Sequence, residues 1–307
     1  MTFSAELRKY DYDRYLCSLF AKEEQRKALH ILYAFNLELA KIAEIAKEPM
    51  ACMVRLKWWE ETINELYEGK SPAKHEVAGN LQQIIKKYNL PHENFMQILE
   101  AREMDFAEEP PKDISILEKY AAGSSSALFA LALKILGSEE ENIKQAVHHA
   151  AIAWCITGLL RSAYINLPKN HFTIFPLTLM EDALISKDSF GSDTFLERSK
   201  TVVEKLIGYA SYHNDKSKGL LKLISSKEKN KSLPIMLITT LTNGYLKAIR
   251  KNNYDIFSQT YKYPSFLTFI SLYLRGKTGL IQLSEFGVQS SVFKKLSTSS
   301  FFLHPLL

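Results

Sequence analysis

Three charged residues follow one another at three-residue intervals in the stretch YAFNLELAKIAEIAKEP, residues 33–49. Glu38, Lys41 and Glu44 share one side of a predicted helix, because side chains three or four residues apart are neighbours on its surface. Carboxylates on such a face can bind a divalent metal ion through their oxygen atoms. The same spacing also allows ion pairs on a solvated helix surface. Both interpretations stay open from these residues alone.

A second candidate site lies in CITGLLRSAYIN, residues 155–166. Arg161 has mostly apolar neighbours there, and a buried guanidinium requires an acid or a bound anion. Glu38, Glu44 and a lipid phosphate are the candidate partners. The residues are therefore consistent with a structural ion pair and with ligand binding.

Two further motifs have structural explanations. GSSSA, residues 123–127, resembles part of a nucleophile elbow, but it lies inside a helical pattern, so close helix packing is the better interpretation. His148 and His149 are adjacent and point about 100° apart on a helix, which argues against a shared metal ion. Neither motif predicts chemistry.

Helices must position the candidate residues, since apolar side chains recur every three or four residues along most of the chain. The sequence predicts helices near residues 22–46, 50–67, 113–136, 139–165, 194–224, 234–252 and 264–275, and in EVAGNLQQIIKKYN and HENFMQILEAREMDF. NLPKNHFTIFPLTL and SSKEKNKS are predicted loops. No alternating strand pattern occurs. We therefore expect one all-α domain over residues 1–276 and an appended tail over residues 277–307.

Net charge, cysteine spacing and the length of the apolar stretches exclude several classes of protein. The net charge of +5 over 307 residues, without a run of five or more basic residues, does not predict a nucleic-acid surface. Three scattered cysteines without CxxC spacing indicate reduced thiols and no zinc site. The longest strongly apolar stretch, LPIMLITTL, is well short of the ~20 residues that span a bilayer. We expect a cytoplasmic protein that at most attaches to a membrane surface.

Several stretches together resemble the squalene/phytoene synthase family, head-to-head prenyl transferases with the all-α isoprenoid-synthase fold. Besides the two candidate stretches, they are YLCSLF, RLKWWEETINELYEG, AREMDF and YAAGSSSALFALALKILG, so the resemblance covers roughly residues 5–276. It implies a helical bundle with a central cavity. In that family, two aspartate-rich helices hold the magnesium ions that carry the substrate diphosphates, because Mg²⁺ requires hard oxygen ligands.

Carrying the family pattern over residue by residue shows a departure from it. On the first helix, the family's acidic positions are occupied here by Ala40, Lys41 and Glu44. On the second helix, Arg161 matches the family's arginine, and the two acidic positions are occupied by Ser162 and Asn166. Only Glu44 among them is acidic. An ammonium such as that of Lys41 close to a metal ion would cost roughly several kcal/mol. The resemblance therefore implies no metal and no catalytic residue here.

The stretches YLCSLF, AFNLELA and RLKWWEETI resemble a subgroup of the family, the respiratory complex I assembly factors, which also lack the aspartate clamps. This resemblance implies a catalytically degenerate protein that binds a lipid or a protein partner. It implies a place in the bacterial cytoplasm or at the inner membrane, or on the matrix side of a mitochondrion. One alternative is an active Mg-dependent prenyl transferase using Glu38, Glu44 and Glu103. Another is a helical scaffold without a ligand.

The implied ligand is an isoprenoid or a phospholipid, and the implied protein partner is a respiratory-chain subunit or assembly intermediate. The residues predicted to bind the ligand are Tyr33, Glu38, Lys41, Glu44, Arg55, Arg161, Ser162 and Asn166. Magnesium is expected only under the transferase alternative.

Overall fold

A computed structural model describes residues 2–46, 48–70, 74–107, 109–166, 175–186, 189, 191–257, 261 and 263–279. For Glu44 and residues 164–166 it describes the helical backbone alone. The predicted tail lies outside the described residues except for its first three positions, and the predicted boundary at residue 276 falls inside the last helix.

The described residues form fourteen α-helices and no strand. The helices are α1 Phe3–Tyr10, α2 Tyr12–Ser18, α3 Glu23–Ile45, α4 Pro49–Tyr67, α5 Glu76–Tyr88, α6 His92–Arg102, α7 Ile114–Ala121, α8 Ala127–Leu136, α9 Glu141–Asn166, α10 Leu177–Asp182, α11 Asp193–Leu221, α12 Ser226–Met236, α13 Ile238–Lys251 and α14 Phe266–Thr278. A 3₁₀ turn, Glu103–Phe106, follows α6, and a π-helical segment, Ala122–Ser126, joins α7 to α8. The predicted all-α fold is confirmed. None of the described helices combines the length and apolar composition needed to cross a bilayer.

Several helix ends follow from capping residues in the sequence. Asp113 accepts hydrogen bonds from the backbone N–H groups of Ser115 and Ile116 at the start of α7. Gly137 ends α8 with a φ of 72°, a conformation that glycine adopts without strain. The predicted loop in SSKEKNKS is wrong, because Ser225 caps α12 by accepting a hydrogen bond from the N–H of Glu228.

The centre of the bundle is α9, which packs against α7, α8, α11, α12 and α13. Its inner faces carry small side chains, so the neighbouring helices approach closely. Ala146, Ala150 and Ala151 are fully buried. The other candidate helix, α3, packs against α1, α2, α4, α5, α6 and α8. Both candidate stretches therefore lie on helices with neighbours on several sides, and α8 contacts both helices.

Close packing explains GSSSA, as predicted. Gly123 lies in the π-helical segment, and a Cβ atom at this position would stand 2.7 Å from the Cβ of Ala101 on α6. That separation is well inside van der Waals contact. The glycine thus permits the approach of α6.

Candidate functional site

On α3, Lys41 is engaged by the N-terminal helix. Its Nζ lies 2.6 Å from Glu6 Oε1 on α1 and 4.6 Å from the centre of the Tyr10 ring. Both charged side chains are partly buried. The ammonium at a position where the family has an aspartate is thus neutralised by a neighbouring helix.

The other predicted residues of α3 have different surroundings. Tyr33 is buried, its ring centre is 5.6 Å from the Arg14 guanidinium, and burial raises the pKa of its hydroxyl well above the usual range. Glu38 is half-buried and has no hydrogen-bond or ion-pair partner among the described side chains. Glu44 lies in the last turn of α3, and its side chain is outside the described part of the chain.

On α9, Arg161 is held in a buried network that joins four parts of the chain. Its Nη1 donates a hydrogen bond to Asp13 Oδ2 at 2.8 Å, and its Nε donates to the backbone carbonyl of Tyr261 at 2.8 Å. The guanidinium stacks on the Tyr245 ring, 3.6 Å from its centre. The Tyr245 hydroxyl donates to Asp13 Oδ1 at 2.9 Å. Arg161 is therefore a structural ion-pair residue in this arrangement.

Among the described side chains, the carboxylate beside Arg161 is that of Asp13. The sequence-based expectation named Glu38, Glu44 or a lipid phosphate, and the side chain of Glu44 lies outside the described part of the chain. Asp13 is only 4% exposed. Burial raises the pKa of its carboxyl group, and the Arg161 charge and the Tyr245 hydrogen bond oppose this shift. Sequence reasoning missed Asp13 and Tyr245. The one available signal is an acid within DYDRYL, a stretch that becomes a short packed helix.

A second buried network surrounds Arg102 at the end of α6. Its Nη1 lies 2.9 Å from Asp105 Oδ2, and its Nη2 donates to Asn36 Oδ1 on α3 at 3.0 Å. The Tyr120 hydroxyl donates to Asp105 Oδ1 at 2.7 Å. Arg102 and Asp105 of AREMDF therefore form a network at a helix end, and Arg102 also links it to α3.

A third pair completes the pattern of the interior. Arg14 Nη1 lies 2.6 Å from Asp11 Oδ2, and both side chains are mostly buried. In each of the three sets one arginine contacts one aspartate, so the charges balance locally. Such pairs stabilise each other and leave little net charge to attract an ion.

The remaining predicted residues are dispersed. Ser162 is half-buried and donates a hydrogen bond to the backbone carbonyl of Leu159. The side chain of Asn166 lies outside the described part. Arg55 and Glu103 are exposed, Arg55 on α4 and Glu103 at the start of the 3₁₀ turn. Among the predicted ligand residues whose side chains the structure describes, Lys41 and Arg161 have different partners, Glu6 and Asp13.

Two surface grooves lie away from these networks. One, of about 370 Å³, runs between α6, α8 and the first part of α9. The other, of about 280 Å³, lies between α4 and α6 and includes Glu103. Neither is lined by Tyr33, Lys41 or Arg161. The central cavity implied by the family resemblance therefore stays a prediction.

The donor set that the structure describes does not fit a magnesium cluster. Mg²⁺ requires several oxygen ligands in near-octahedral geometry, usually including carboxylates. Within the ranges that the structure describes, no three carboxylate, histidine or cysteine side chains converge on a possible metal position. The adjacent histidines have separate partners. His148 Nδ1 lies 2.7 Å from Ser126 Oγ, and His149 Nδ1 lies 3.0 Å from His213 Nδ1.

The sequence profile of squalene/phytoene synthase matches residues 7–267, most of the chain. The chain belongs to the squalene/phytoene synthase family. This family member is 28% identical over 270 residues to the Bos taurus protein "NADH dehydrogenase (ubiquinone) complex I, assembly factor 6", an alignment that covers 88% of this chain and 79% of the relative. The Homo sapiens protein of the same name is 27% identical over 270 residues, with the same coverage.

Solved structures confirm the fold of this family member. A dehydrosqualene synthase in complex with a ligand superposes with a TM-score of 0.75 at 16% identity, and the match covers 91% of this chain and 95% of that chain. At such low identity, the similarity shows the shared fold. The predicted family and its all-α fold are thus confirmed.

Proposed function

We propose that this protein is an assembly factor for respiratory complex I that binds a lipid or protein partner and carries out no metal-dependent prenyl transfer. Its similarity to the named assembly factors extends over 88% of the chain. The observation that carries the proposal concerns α3 and α9, the helices that correspond to the metal-binding helices of the family. Lys41 is paired with Glu6, and Arg161 is paired with Asp13.

Those two pairs oppose transferase chemistry for a physical reason. Binding a magnesium–diphosphate cluster requires carboxylates for the metal ions and free cations for the phosphates. Here the arginines of the interior already contact aspartates of the same chain. Reassigning them to a ligand would leave buried carboxylates without their partners, which is strongly unfavourable.

The predicted ligand residues take a narrower role under this proposal. Glu38 has no charged partner among the described residues, so it and Glu44 are the candidates on α3 for contact with a lipid or a protein. Arg55 and Glu103 are exposed and suit a protein partner better than an enclosed lipid. We place the protein at the face of the membrane that holds complex I, in the bacterial cytoplasm or the mitochondrial matrix.

The decisive experiment measures complex I in cells of the source organism that lack this protein. We expect less mature complex on native gels and lower NADH–quinone oxidoreductase activity, with both restored by the wild-type chain. Normal complex I in those cells would overturn the proposal and favour a scaffold with another role.

A second experiment tests the transferase alternative directly. Purified protein is incubated with farnesyl or geranylgeranyl diphosphate and Mg²⁺, and diphosphate release is followed. We expect no turnover above that of heat-denatured protein. Metal-dependent, saturable turnover that is lost in Glu44→Ala would establish an active enzyme.

A further inference from the structure

The last described helix, α14, has an unusual composition for its position. Its sequence, FLTFISLYLRGKT, is largely apolar, yet Leu272 is the one residue of the helix that is fully buried. One side of α14 is tightly packed: Thr268 lies where a Cβ at Gly244 of α13 would be, and Gly276 lies against the Phe20 ring. The orientation of α14 is therefore set by a narrow seam.

The opposite side of α14 presents large apolar groups to solvent. Phe266 is 68% exposed and Leu267 is 64% exposed, and Tyr273 one to two turns later is also exposed. Tyr263, just before the helix, extends the same surface. Single exposed apolar residues are common on proteins, but a continuous patch with aromatic members marks an interaction surface.

The charged side chains of the segment that carries this patch have one sign. The described residues from 261 to 279 include no acid, and Lys277 is exposed at the end of α14. Tyr263 meets Tyr12 edge-on with 5.5 Å between ring centres, which brings the start of α14 to the junction of α1 and α2. Arg8 and Lys9 are exposed at the end of α1.

The acids near this junction do not offset those cations, because each has its own partner. Glu6 pairs with Lys41, Asp11 with Arg14 and Asp13 with Arg161. Arg8 and Lys9 have no ion-pair partner among the described residues.

We propose that the outer face of α14, together with the end of α1, docks on an anionic lipid surface. Phe266 and Leu267 enter the boundary between headgroups and acyl chains, tyrosines lie at headgroup level, and Arg8, Lys9 and Lys277 contact lipid phosphates. This deepens the proposed function, on which it rests for the choice of membrane, by naming the surface that meets the bilayer.

Charge favours lipid over the other possible occupants. A second copy of the chain would bring Arg8, Lys9 and Lys277 against the same cations. Residues 280–307 carry one acid, Glu285, and two lysines, so this segment does not complement the cationic border. An anionic bilayer matches both the apolar centre and that border.

The test uses the full-length protein and sedimentation with vesicles of phosphatidylcholine alone or mixed with phosphatidylglycerol. We expect wild-type protein to sediment with the mixed vesicles and much less with the neutral ones. F266E/L267E should bind the mixed vesicles at least about tenfold more weakly, since it places two charges in the apolar contact. L223E is the matched control, because Leu223 is 71% exposed beyond the end of α11, and it should bind like wild type.

A charge variant separates the electrostatic part. K277E should weaken binding to the mixed vesicles by a few-fold at low salt, and the difference should shrink at high salt. Circular dichroism melts establish that each variant is folded.

Three outcomes would overturn the proposal: no sedimentation of wild-type protein with either vesicle, equal binding by F266E/L267E and wild type, or equal loss in L223E. A change of mass by light scattering in F266E/L267E, with vesicle binding unaltered, would instead identify a second copy as the occupant. Loss of complex I in cells lacking the protein is independent of all these results, so the two proposals can fail separately.

Discussion

The interior around Asp13 and the outer face of α14 invert the usual placement of polar and apolar groups. Inside, Asp13 and Arg161 are charged residues in a mostly buried contact, each satisfied by the other and by Tyr245. Outside, Phe266 and Leu267 are apolar and mostly exposed. Burying a charge is unfavourable unless it is paired. Exposing an apolar patch to water is also unfavourable, and covering the patch removes that cost. The contrast indicates that the Asp13–Arg161 network has a structural role, whereas the exposed face of α14 is a candidate for binding.

The largest effect is expected from breaking the buried pair. Arg161→Met leaves the Asp13 carboxylate buried without its cation and removes the hydrogen bond to the Tyr261 carbonyl. We expect a loss of roughly 3–5 kcal/mol in the free energy of unfolding. Urea denaturation followed by circular dichroism measures it.

The double variant D13N/R161M should recover part of that loss, because it removes the uncompensated charge as well. Lys57→Met is a matched control, since the Lys57–Glu60 pair is exposed and should contribute less than about 1 kcal/mol. If R161M is as stable as wild type, the buried pair does not have the structural role described above.

A smaller effect tests how tightly the interior is packed. Gly123→Ala places a methyl group 2.7 Å from the Cβ of Ala101, and we expect a loss of about 1–3 kcal/mol as α6 and the π-helical segment shift. Gly208→Ala on α11 meets open space and should be neutral or stabilising by up to about 1 kcal/mol. Thermal melts of both variants give the comparison, and equal behaviour would contradict it.

Acid should weaken the interior through its histidines. His30 is buried, its ring meets Ser18 Oγ at 2.8 Å, and burial, with a smaller contribution from Arg26, lowers its pKa from 6.5 to about 4. Below pH 6.5 the unfolded chain therefore takes up a proton that the folded chain refuses, so stability falls as the pH drops from 6.5 towards 4. Above pH 6.5 this effect is absent.

His30→Asn should lose less stability than wild type over that interval, because asparagine can still hydrogen-bond Ser18 but does not titrate. His213, whose pKa is also lowered to about 4, is present in both proteins, so the difference isolates His30. Parallel urea curves at neutral and acidic pH decide the matter; the same pH dependence in both proteins would refute the assignment.

The smallest effect on stability is expected at the exposed outer face of α14. Phe266→Ser removes an apolar group that is mostly in solvent, so the free energy of unfolding should change by no more than about 0.5 kcal/mol. A thermal melt of the full-length protein is sufficient. A loss of several kcal/mol would show that Phe266 is covered by another part of the chain.

Sequence patterns predicted most of the fold because helix formation depends on neighbours within a few residues. The apolar side chains that recur every three or four residues along α3, the cap at Asp113 and the end of α8 at Gly137 all have local causes. The predicted loop at SSKEKNKS failed for a local reason as well: its charged residues concealed the Ser225 cap.

The site was harder to predict, because its contacts join distant parts of the chain. The need for an acid beside Arg161 follows from its apolar neighbours, but Asp13 is 148 residues away and no spacing rule connects them. The family pattern identifies Lys41 as a site position, but its contact with Glu6 depends on how α1 packs against α3. The exposure of α14 likewise depends on the narrow seam at Thr268 and Gly276, which periodicity alone does not reveal.

The Arg161–Asp13–Tyr245 contact also has a consequence for biosynthesis. During translation Asp13 leaves the ribosome long before Arg161, and Tyr245 follows Asp13 by 232 residues. Until α9 and α13 have been made, Asp13 on α2 lacks its partners Arg161 and Tyr245. The N-terminal helices can therefore pack against α3 early, but the buried contacts of Asp13 are completed only after α9 and α13 have been made.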